Sequence, residues 1–366
     1  MSKDKNNTKM PIWKKVLIIS TCSILSLILI TVGTVYAIFF NEFNAFFSIK
    51  EENENIYSMT YRNDYFFDEF LQTGASTDEE LKKFIMTKLL HGISIDFVLP
   101  DYGCSCFTAT TSEGDHTFAR NLDIEYAPVM VLKTYPKNGY SSISMVNLSA
   151  LGFSQTYLPQ ATMDKLLLLA APYIPFDGVN EKGVAICVNM VNGEDINQNT
   201  DKIDITTTTL IRLVLDKAES VEDAVALIKN YDLHDSTGGP YHFQIADKSG
   251  KSIIIEYYNN QIQIIESTKN YQVMTNHALN SLQTDESTFH KTYERYNTID
   301  DKLTTTNGIL SIGQSINLLQ EVKLSWGDYE FNDVGGTLYS AVYNLDKSSL
   351  SFAFRGNIDK IFEFTL

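Results

Sequence analysis

Residues 103–123 constrain this chain more than any other stretch. Gly103-Cys104-Ser105-Cys106-Phe107-Thr108-Ala109 and Phe118-Ala119-Arg120-Asn121-Leu122-Asp123 are short strand-like runs of alternating side chains. Between them Glu113-Gly114-Asp115 supplies the Gly and Asp that a hairpin turn requires. Such a hairpin folds the end of the second run onto the start of the first, which predicts Arg120 and Asp123 beside Cys104. A cation next to a thiol favours the thiolate, the form that attacks. Cys104 is therefore the candidate nucleophile, set against the plainer reading of a small buried hydrophobe.

The chain before this hairpin falls into three parts. Residues 1–15 are polar and basic, with Lys3, Lys5, Lys9, Lys14 and Lys15. Val16 to Phe40 carries no charge over 25 residues, enough for a membrane-spanning helix. The basic residues ahead of it predict a single-pass anchor with everything downstream outside the cytoplasm. The alternative is a cleaved signal sequence ending near Val35-Tyr36-Ala37 and a secreted product. Residues 41–103 are expected to form a separate, helical, propeptide-like block. Ser76-Thr77-Asp78-Glu79 opens a helix there, Leu81, Phe84, Ile85 and Leu89 form its apolar face, and Gly92 closes it. The block ends in a turn at Pro100-Asp101-Tyr102-Gly103.

From Cys104 to Leu366 the pattern is mostly strands. Val129–Thr134, Ser142–Val146 and Lys165–Ala170 are short β-prone runs, and residues 178–183 are a tight turn into a strand over Val184–Val191. Thr206–Tyr231 is helical with an interruption near Ser220, where Glu222-Asp223 opens a second segment. His242–Ala246, Ser252–Tyr258 and Gln261–Glu266 form a meander, and Val273–Asn276 ends another strand. A helix from about Ser311 to Val322 precedes strands at Thr337–Tyr343 and Leu350–Arg355. The economical architecture is α+β, two antiparallel sheets with helices outside them.

Charge narrows the partners. The net charge is −16, yet residues 1–40 hold five lysines against one aspartate, leaving 24 basic and 44 acidic groups beyond them. Such a body repels polyanions, and no nucleic-acid partner is expected. The four cysteines do not read as a disulfide framework. Cys22 sits in the apolar run, Cys187 in a buried-strand pattern, and Cys104 and Cys106 are too close for an easy bridge. No Cys/His spacing suggests zinc, and neither metal nor cofactor is expected.

The hairpin resembles the choloylglycine hydrolase family of linear amide C–N hydrolases, which includes bile salt hydrolases and penicillin V acylases, and the related acid ceramidases and N-acylethanolamine acid amidases. The family pattern is a Cys, a Gly ten residues on, and Arg-Asn-x-Asp from sixteen residues on. Cys104, Gly114, Arg120, Asn121 and Asp123 fit it, whereas Cys106 gives a spacing of fourteen. Further motifs follow in the family's order: Gly178-Val179-Asn180-Glu181-Lys182-Gly183-Val184, the run from Tyr241-His242-Phe243 to Ile255-Glu256, Thr275-Asn276, Tyr293-Glu294-Arg295-Tyr296 and Thr337-Leu338-Tyr339-Ser340. The resemblance covers about residues 104–360 and implies an N-terminal-nucleophile αββα sandwich.

The resemblance also implies a chemistry. The chain cuts its own Gly103–Cys104 bond, and the freed α-amino group of Cys104, with a reference pKa of about 8, serves as general base for its own thiol. Arg120 is implied to flank the sulfur and Asp123 to orient the amine. Asn276 is implied to donate to the oxyanion, with a main-chain N–H at Met190 or Asn189 as second donor. Arg295 matches the later family arginine. His242 is read as structural. The implied substrate is a small N-acyl amide with an apolar acyl group. The hundred residues ahead of Cys104 match the acid ceramidase group more than the bile-salt members, and the segment from Asn276 to Arg295 lacks the bile-salt members' long insertion. Acyl transfer by the same site, or an inert membrane-tethered module, are the alternative functions.

Overall fold

A computed structural model describes residues 10–97, 103–236, 239–280, 291–325 and 335–366. The expected turn at residues 100–102 and lysines 3, 5 and 9 lie outside the described residues. Two sheets carry most of the chain. The larger has nine strands in the order β1 (Lys50–Asn53), β2 (Ile56–Tyr61), β5 (Val129–Thr134), β6 (Ser142–Asn147), β7 (Asp177–Asn180), β8 (Ala185–Met190), β11 (Tyr241–Ala246), β12 (Ser252–Tyr258) and β13 (Gln261–Glu266). The smaller has six, ordered β14 (Val273–Met274), β3 (Gly103–Thr110), β4 (His116–Glu125), β15 (Gly335–Asn344), β16 (Ser349–Phe354) and β17 (Ile361–Thr365). A short parallel pair, β9 (Ile203–Thr206) and β10 (Tyr231–His234), stands apart.

The six-stranded sheet is antiparallel throughout, but the nine-stranded one is mixed, because β2 runs parallel to β5. The sheets meet over an apolar interior to which Cys104, Phe118, Leu122, Val131 and Met145 belong. Helices cover the outer faces. Helices α6 (Thr207–Lys217) and α7 (Val221–Ile228) pack on the larger sheet, while α8 (Thr292–Thr305) and α9 (Ile312–Glu321) pack on the smaller. A second core of Phe107, Ala119, Ile299, Leu303, Leu318 and Val342 lies under α8 and α9. The alternation of the strands decides this division, since successive side chains of β3 and β4 face opposite layers.

The segment before Cys104 departs from expectation. It is not a separate helical block, because β1 and β2 are strands of the larger sheet, and Ile56, Tyr57, Met59 and Tyr61 are buried there. Helices α3 (Phe67–Thr73) and α4 (Asp78–Lys88) follow, and Thr77 caps α4 by accepting the Glu80 N–H at 3.2 Å. Tyr65 donates to Asp216 on α6 at 2.6 Å. Asp216 in turn pairs with buried Arg212, which also donates to Ser142, to Thr134 and to the Pro172 carbonyl. Upstream, α1 (Ile12–Ile38) is long and apolar enough over Ile12–Thr34 to cross a membrane, and that span is not buried against the rest of the chain. A short helix α2 (Phe40–Ser48) follows it.

Two other expectations change. Lys165–Ala170 is not a strand. α5 (Thr162–Leu167) and a 3₁₀ turn over Leu168–Tyr173 occupy it, started by Asp164, which accepts the Ala161 N–H at 3.1 Å. An unbroken apolar run without alternation fits either conformation, and the cap decides. The helical stretch over 206–231 splits at Ala218 and gives way to β10, with Ser220 accepting from the Asp223 N–H at the start of α7.

The turn from β7 to β8 holds these two strands of the larger sheet in register. Asn180 Oδ1 accepts the N–H groups of Lys182 and Val184, and Gly183 adopts φ +81°. A Cβ at Gly183 would stand 2.4 Å from the Leu345 carbonyl oxygen. Gly183→Ala is therefore expected to lose at least ~1–2 kcal/mol of stability from the left-handed backbone alone, measured as a lowered denaturation midpoint at unchanged m-value.

Candidate active site

Cys104 lies at the start of β3, paired across to Leu122, and Cys106 is paired to Arg120. Cys104, Cys106 and Arg120 belong to the face directed into the space between the sheets. There Arg120 Nη2 donates to Cys104 Sγ at 3.0 Å and to the Val188 carbonyl at 3.0 Å. Its Nη1 donates to Asp177 Oδ2 at 2.7 Å and to the Phe176 carbonyl at 2.6 Å. Tyr339 and Tyr343 donate their hydroxyls to the same Asp177 carboxylate. A fully buried cation thus has a fully buried counter-ion on the opposite sheet.

Ser105, Asn121 and Asp123 belong to the opposite face, toward the helices. Asn121 donates to the Leu319 carbonyl on α9 at 2.7 Å. Asp123 accepts from Thr337 at 2.5 Å and lies 3.8 Å from Arg295 on α8. The pleat places Asp123 and the Cys104 thiol on opposite sides of the sheet, a division the hairpin reading left out. Arg295 works at the main chain. It donates to the Cys104 carbonyl, to Ser105 Oγ at 2.8 Å and to Asn276 Oδ1 at 2.7 Å.

Asn276 follows β14 and reaches the Cys104 nitrogen. Its Oδ1 accepts the Cys104 N–H at 2.8 Å, and its Nδ2 donates to the Met190 carbonyl at 2.8 Å. Asn276 thus stands on the Cys104 peptide nitrogen, and Met190 meets Asn276 through its carbonyl oxygen. The Asn189 side chain is buried one residue earlier, donating to the Thr275 carbonyl at 3.0 Å and accepting from Cys106 Sγ at 3.2 Å. The structure therefore brings Cys104, Arg120, Asn276, Arg295, Asn189 and Met190 together, with Asp123 joined through Arg295.

The thiol is not activated in this state. Burial raises the Cys104 pKa and the Arg120 guanidinium pulls it down, but burial wins and the thiol is pushed up to about 12. The cation stands where the hairpin predicted it, and desolvation outweighs it. Burial likewise raises the Asp123 carboxyl above its ordinary value, against the pull of Arg295 and Thr337.

Residues beyond the sequence-derived set support this centre. Asp177 directly precedes the Gly178-Val179-Asn180 motif, and its partner Arg120 is on another sheet, so only the motif's proximity could have flagged it. His242, read as structural, faces Glu256 through Nδ1 at 3.0 Å and the Thr275 carbonyl through Nε2 at 2.8 Å. Both partners are acceptors, so both ring nitrogens must carry hydrogen for both bonds to form. Glu256 also accepts the N–H groups of Leu279 and Asn280 and the Asn280 side-chain amide. His242 and Glu256 thereby fix both sides of Asn276. Among the described residues no cluster of His, Cys, Asp and Glu has the arrangement of a metal site.

Burial pushes the Glu256 carboxyl up, yet His242 and the converging donors outweigh it and hold it below the usual carboxylate range. A depressed native pKa contributes stability that is complete above the unfolded pKa of about 4.3 and is lost as pH falls through the native value. Glu256→Gln is therefore expected to destabilise the protein by about 1–3 kcal/mol at pH 7. Urea titrations of both proteins should show the gap narrowing below about pH 4.3.

Comparison with known proteins bears on this centre. The family model for acyl-coenzyme A:6-aminopenicillanic acid acyl-transferase matches residues 172–359, just over half of the chain. That span includes Asp177, Asn189, Asn276 and Arg295, while the Cys104 hairpin lies upstream of it. A bile salt hydrolase/transferase of Clostridium perfringens is 28% identical over 187 residues, 47% of this chain and 53% of that protein. A penicillin V acylase of Pectobacterium atrosepticum is 32% identical over 111 residues, 27% of this chain and 29% of that one. The chain thus spans about half the length of the first relative and under a third of the second. In solved structures, a mutant conjugated bile acid hydrolase from Clostridium perfringens superposes with a TM-score of 0.52 at 15% identity, covering 72% of this chain and 92% of that one. Penicillin V acylase from Agrobacterium tumefaciens gives 0.50 at 15% identity, covering 72% and 86%. At that identity the likeness is one of fold, the N-terminal-nucleophile hydrolase fold with its mixed α+β sheets.

Proposed function

We propose, on the premise that this chain belongs to the choloylglycine hydrolase family through its acyl-coenzyme A:6-aminopenicillanic acid acyl-transferase match, that it is an amidase with Cys104 as terminal nucleophile. The observation that carries the reading is the set of contacts on this one residue. Arg120 stands on its sulfur, Asn276 on its nitrogen and Arg295 on its carbonyl.

In the proposed maturation the Cys104 thiol attacks the Gly103 carbonyl, and the acyl group passes from nitrogen to sulfur. Water then hydrolyses the thioester, leaving a Gly103 carboxylate and a free Cys104 amine. That amine, with a reference pKa of about 8, takes the thiol proton as the thiolate attacks a substrate amide carbonyl. The protonated amine gives its proton to the leaving nitrogen, and water releases the acyl group. Asn276 keeps the amine oriented through Oδ1, and Arg120 stabilises the thiolate. Asn276 Nδ2 serves a developing oxyanion by leaving the Met190 carbonyl.

Cutting the chain also answers the burial of Cys104. The chain ending at Gly103 is released at one end, which opens a path to a sulfur that is otherwise enclosed. Residues 41–97 stay in place on this reading, since β2 is a buried strand of the larger sheet and Tyr65 is tied to Asp216. The substrate class is a linear N-acyl amide. Membrane attachment through α1, with the catalytic body outside the cytoplasm, belongs to the same proposal.

Acyl transfer is the second reading, favoured by the word transferase in both the matching family model and the Clostridium perfringens relative. Transfer and hydrolysis share the acyl-enzyme and differ in the acceptor. The test is intact mass spectrometry of the full chain in detergent beside Cys104→Ala. The wild type is expected to split between Gly103 and Cys104, the variant to stay whole, and both wild-type fragments to elute as one species. Amine release from an N-acyl amide panel, with and without an added acceptor amine, should then appear in the wild type alone. A wild type that remains uncut while hydrolysing the panel would sink the terminal-nucleophile reading.

A further inference from the structure

The proposed chemistry leaves two sulfurs unused, and they face each other across the interior. Cys106 on β3 and Cys187 on β8 are both completely buried, and their Sγ atoms are 2.9 Å apart. The two strands belong to different sheets, and 81 positions separate the residues in sequence. A disulfide bond is about 2.05 Å long, so closure needs the sulfurs to approach by about 0.9 Å. Cys104 is poorly placed to compete, being two residues from Cys106 on the same strand face and engaged by Arg120.

We propose that Cys106 and Cys187 form a disulfide that staples the two sheets directly behind the nucleophile. The oxidant is of the thiol-exchange class, an oxidised dithiol protein or an oxidised small thiol. One cysteine thiolate attacks the oxidant's disulfide and expels one thiolate, and the second cysteine displaces the other. Two protons pass to the leaving thiols, and the two electrons reduce the oxidant. Timing follows from burial. A mixed disulfide does not fit in an interior where neither cysteine has exposed surface, and burial holds the Cys106 thiol well above its ordinary pKa. Exchange therefore occurs while the sheets are closing. Once folded in the reduced form, the pair is shielded from the oxidant.

The bond adjoins the site without entering it. Cys106 donates to Asn189 Oδ1, and Asn189 Nδ2 holds the Thr275 carbonyl next to Asn276. Oxidation removes that S–H donor and leaves the Asn189 side chain held by the Met274 and Thr275 carbonyls, so the staple also reaches the strand end that carries Asn276.

The full chain is refolded in detergent, once with oxidised glutathione and once fully reduced, then denatured, alkylated with N-ethylmaleimide and mapped without reduction. The expected oxidised product carries two labels, on Cys22 and Cys104, and a linked peptide joining Cys106 to Cys187. Its Tm should exceed that of the reduced form by about 5 °C, a difference that Cys187→Ser abolishes. Four labelled cysteines in the oxidised product, or a linked peptide that includes Cys104, would overturn the proposal. The wild-type map decides this even if the variant does not fold.

Discussion

The structure depends on one buried ion pair that crosses its interior. Arg120 rises from β4 of the six-stranded sheet and ends on Asp177 of the nine-stranded one, with the Phe176 and Val188 carbonyls taking further guanidinium donors. Burying a guanidinium is costly unless a counter-ion and additional hydrogen bonds offset the desolvation. Here Asp177, two carbonyls and two tyrosine hydroxyls on the carboxylate supply the compensation. The pair adds little net stability when compared with a well-packed apolar alternative. It fixes geometry instead, because the charge is satisfied only when both sheets are in register. The thiol of Cys104 then lies at the guanidinium Nη2, which it shares with the Val188 carbonyl.

From that pair the other groups fall into two layers. On the inner side are Arg120, Cys104, Cys106, Cys187 and Asn189. On the helix side are Asp123, Ser105 and Arg295, of which Arg295 grips the carbonyl of Cys104 and meets the other two. Asn276 touches both layers, taking the Cys104 N–H and Arg295 on one oxygen and giving its amide to Met190. A hinge of this kind has to be held firmly. His242 and Glu256 do so from the larger sheet, through the carbonyl of Thr275 and the N–H groups of Leu279 and Asn280.

What could be read in the sequence was what is local. The hairpin over 103–123 was legible because alternation and a Gly-containing turn fix its register within twenty residues, and Gly114 indeed has φ +94°. The meander from Tyr241 to Glu266 was legible for the same reason. Arg295 was reached only through a family motif, since a helix arginine has no local mark of burial. Asp177 escaped because its significance is the charge 57 residues away. β1 and β2 escaped because their neighbour β5 lies some 70 residues downstream and joins in parallel, a pairing that no turn announces. The opposite facing of Cys104 and Asp123 was implicit in the strand period, yet the spacing argument counted residues along the hairpin without counting faces.

The same burial that makes the site precise also keeps it idle. A guanidinium 3.0 Å from a thiol would lower its pKa in a wetter setting, but here desolvation prevails and the thiol stays protonated. Activation and enclosure therefore oppose each other in the uncut chain. Under the proposed maturation one bond resolves both. Breaking Gly103–Cys104 frees a base beside the sulfur and a strand end above it, so that solvation and proton acceptor arrive together. Beyond the Asn276 amide, which exchanges the Met190 carbonyl for the oxyanion, the supporting groups stay in place. Arg120 is anchored to Asp177, Arg295 to the Cys104 carbonyl, and the segment carrying β2 is bound into the larger sheet by a whole strand ladder. On that reading the energy spent on burying the arginine is what lets a latent site become active without refolding.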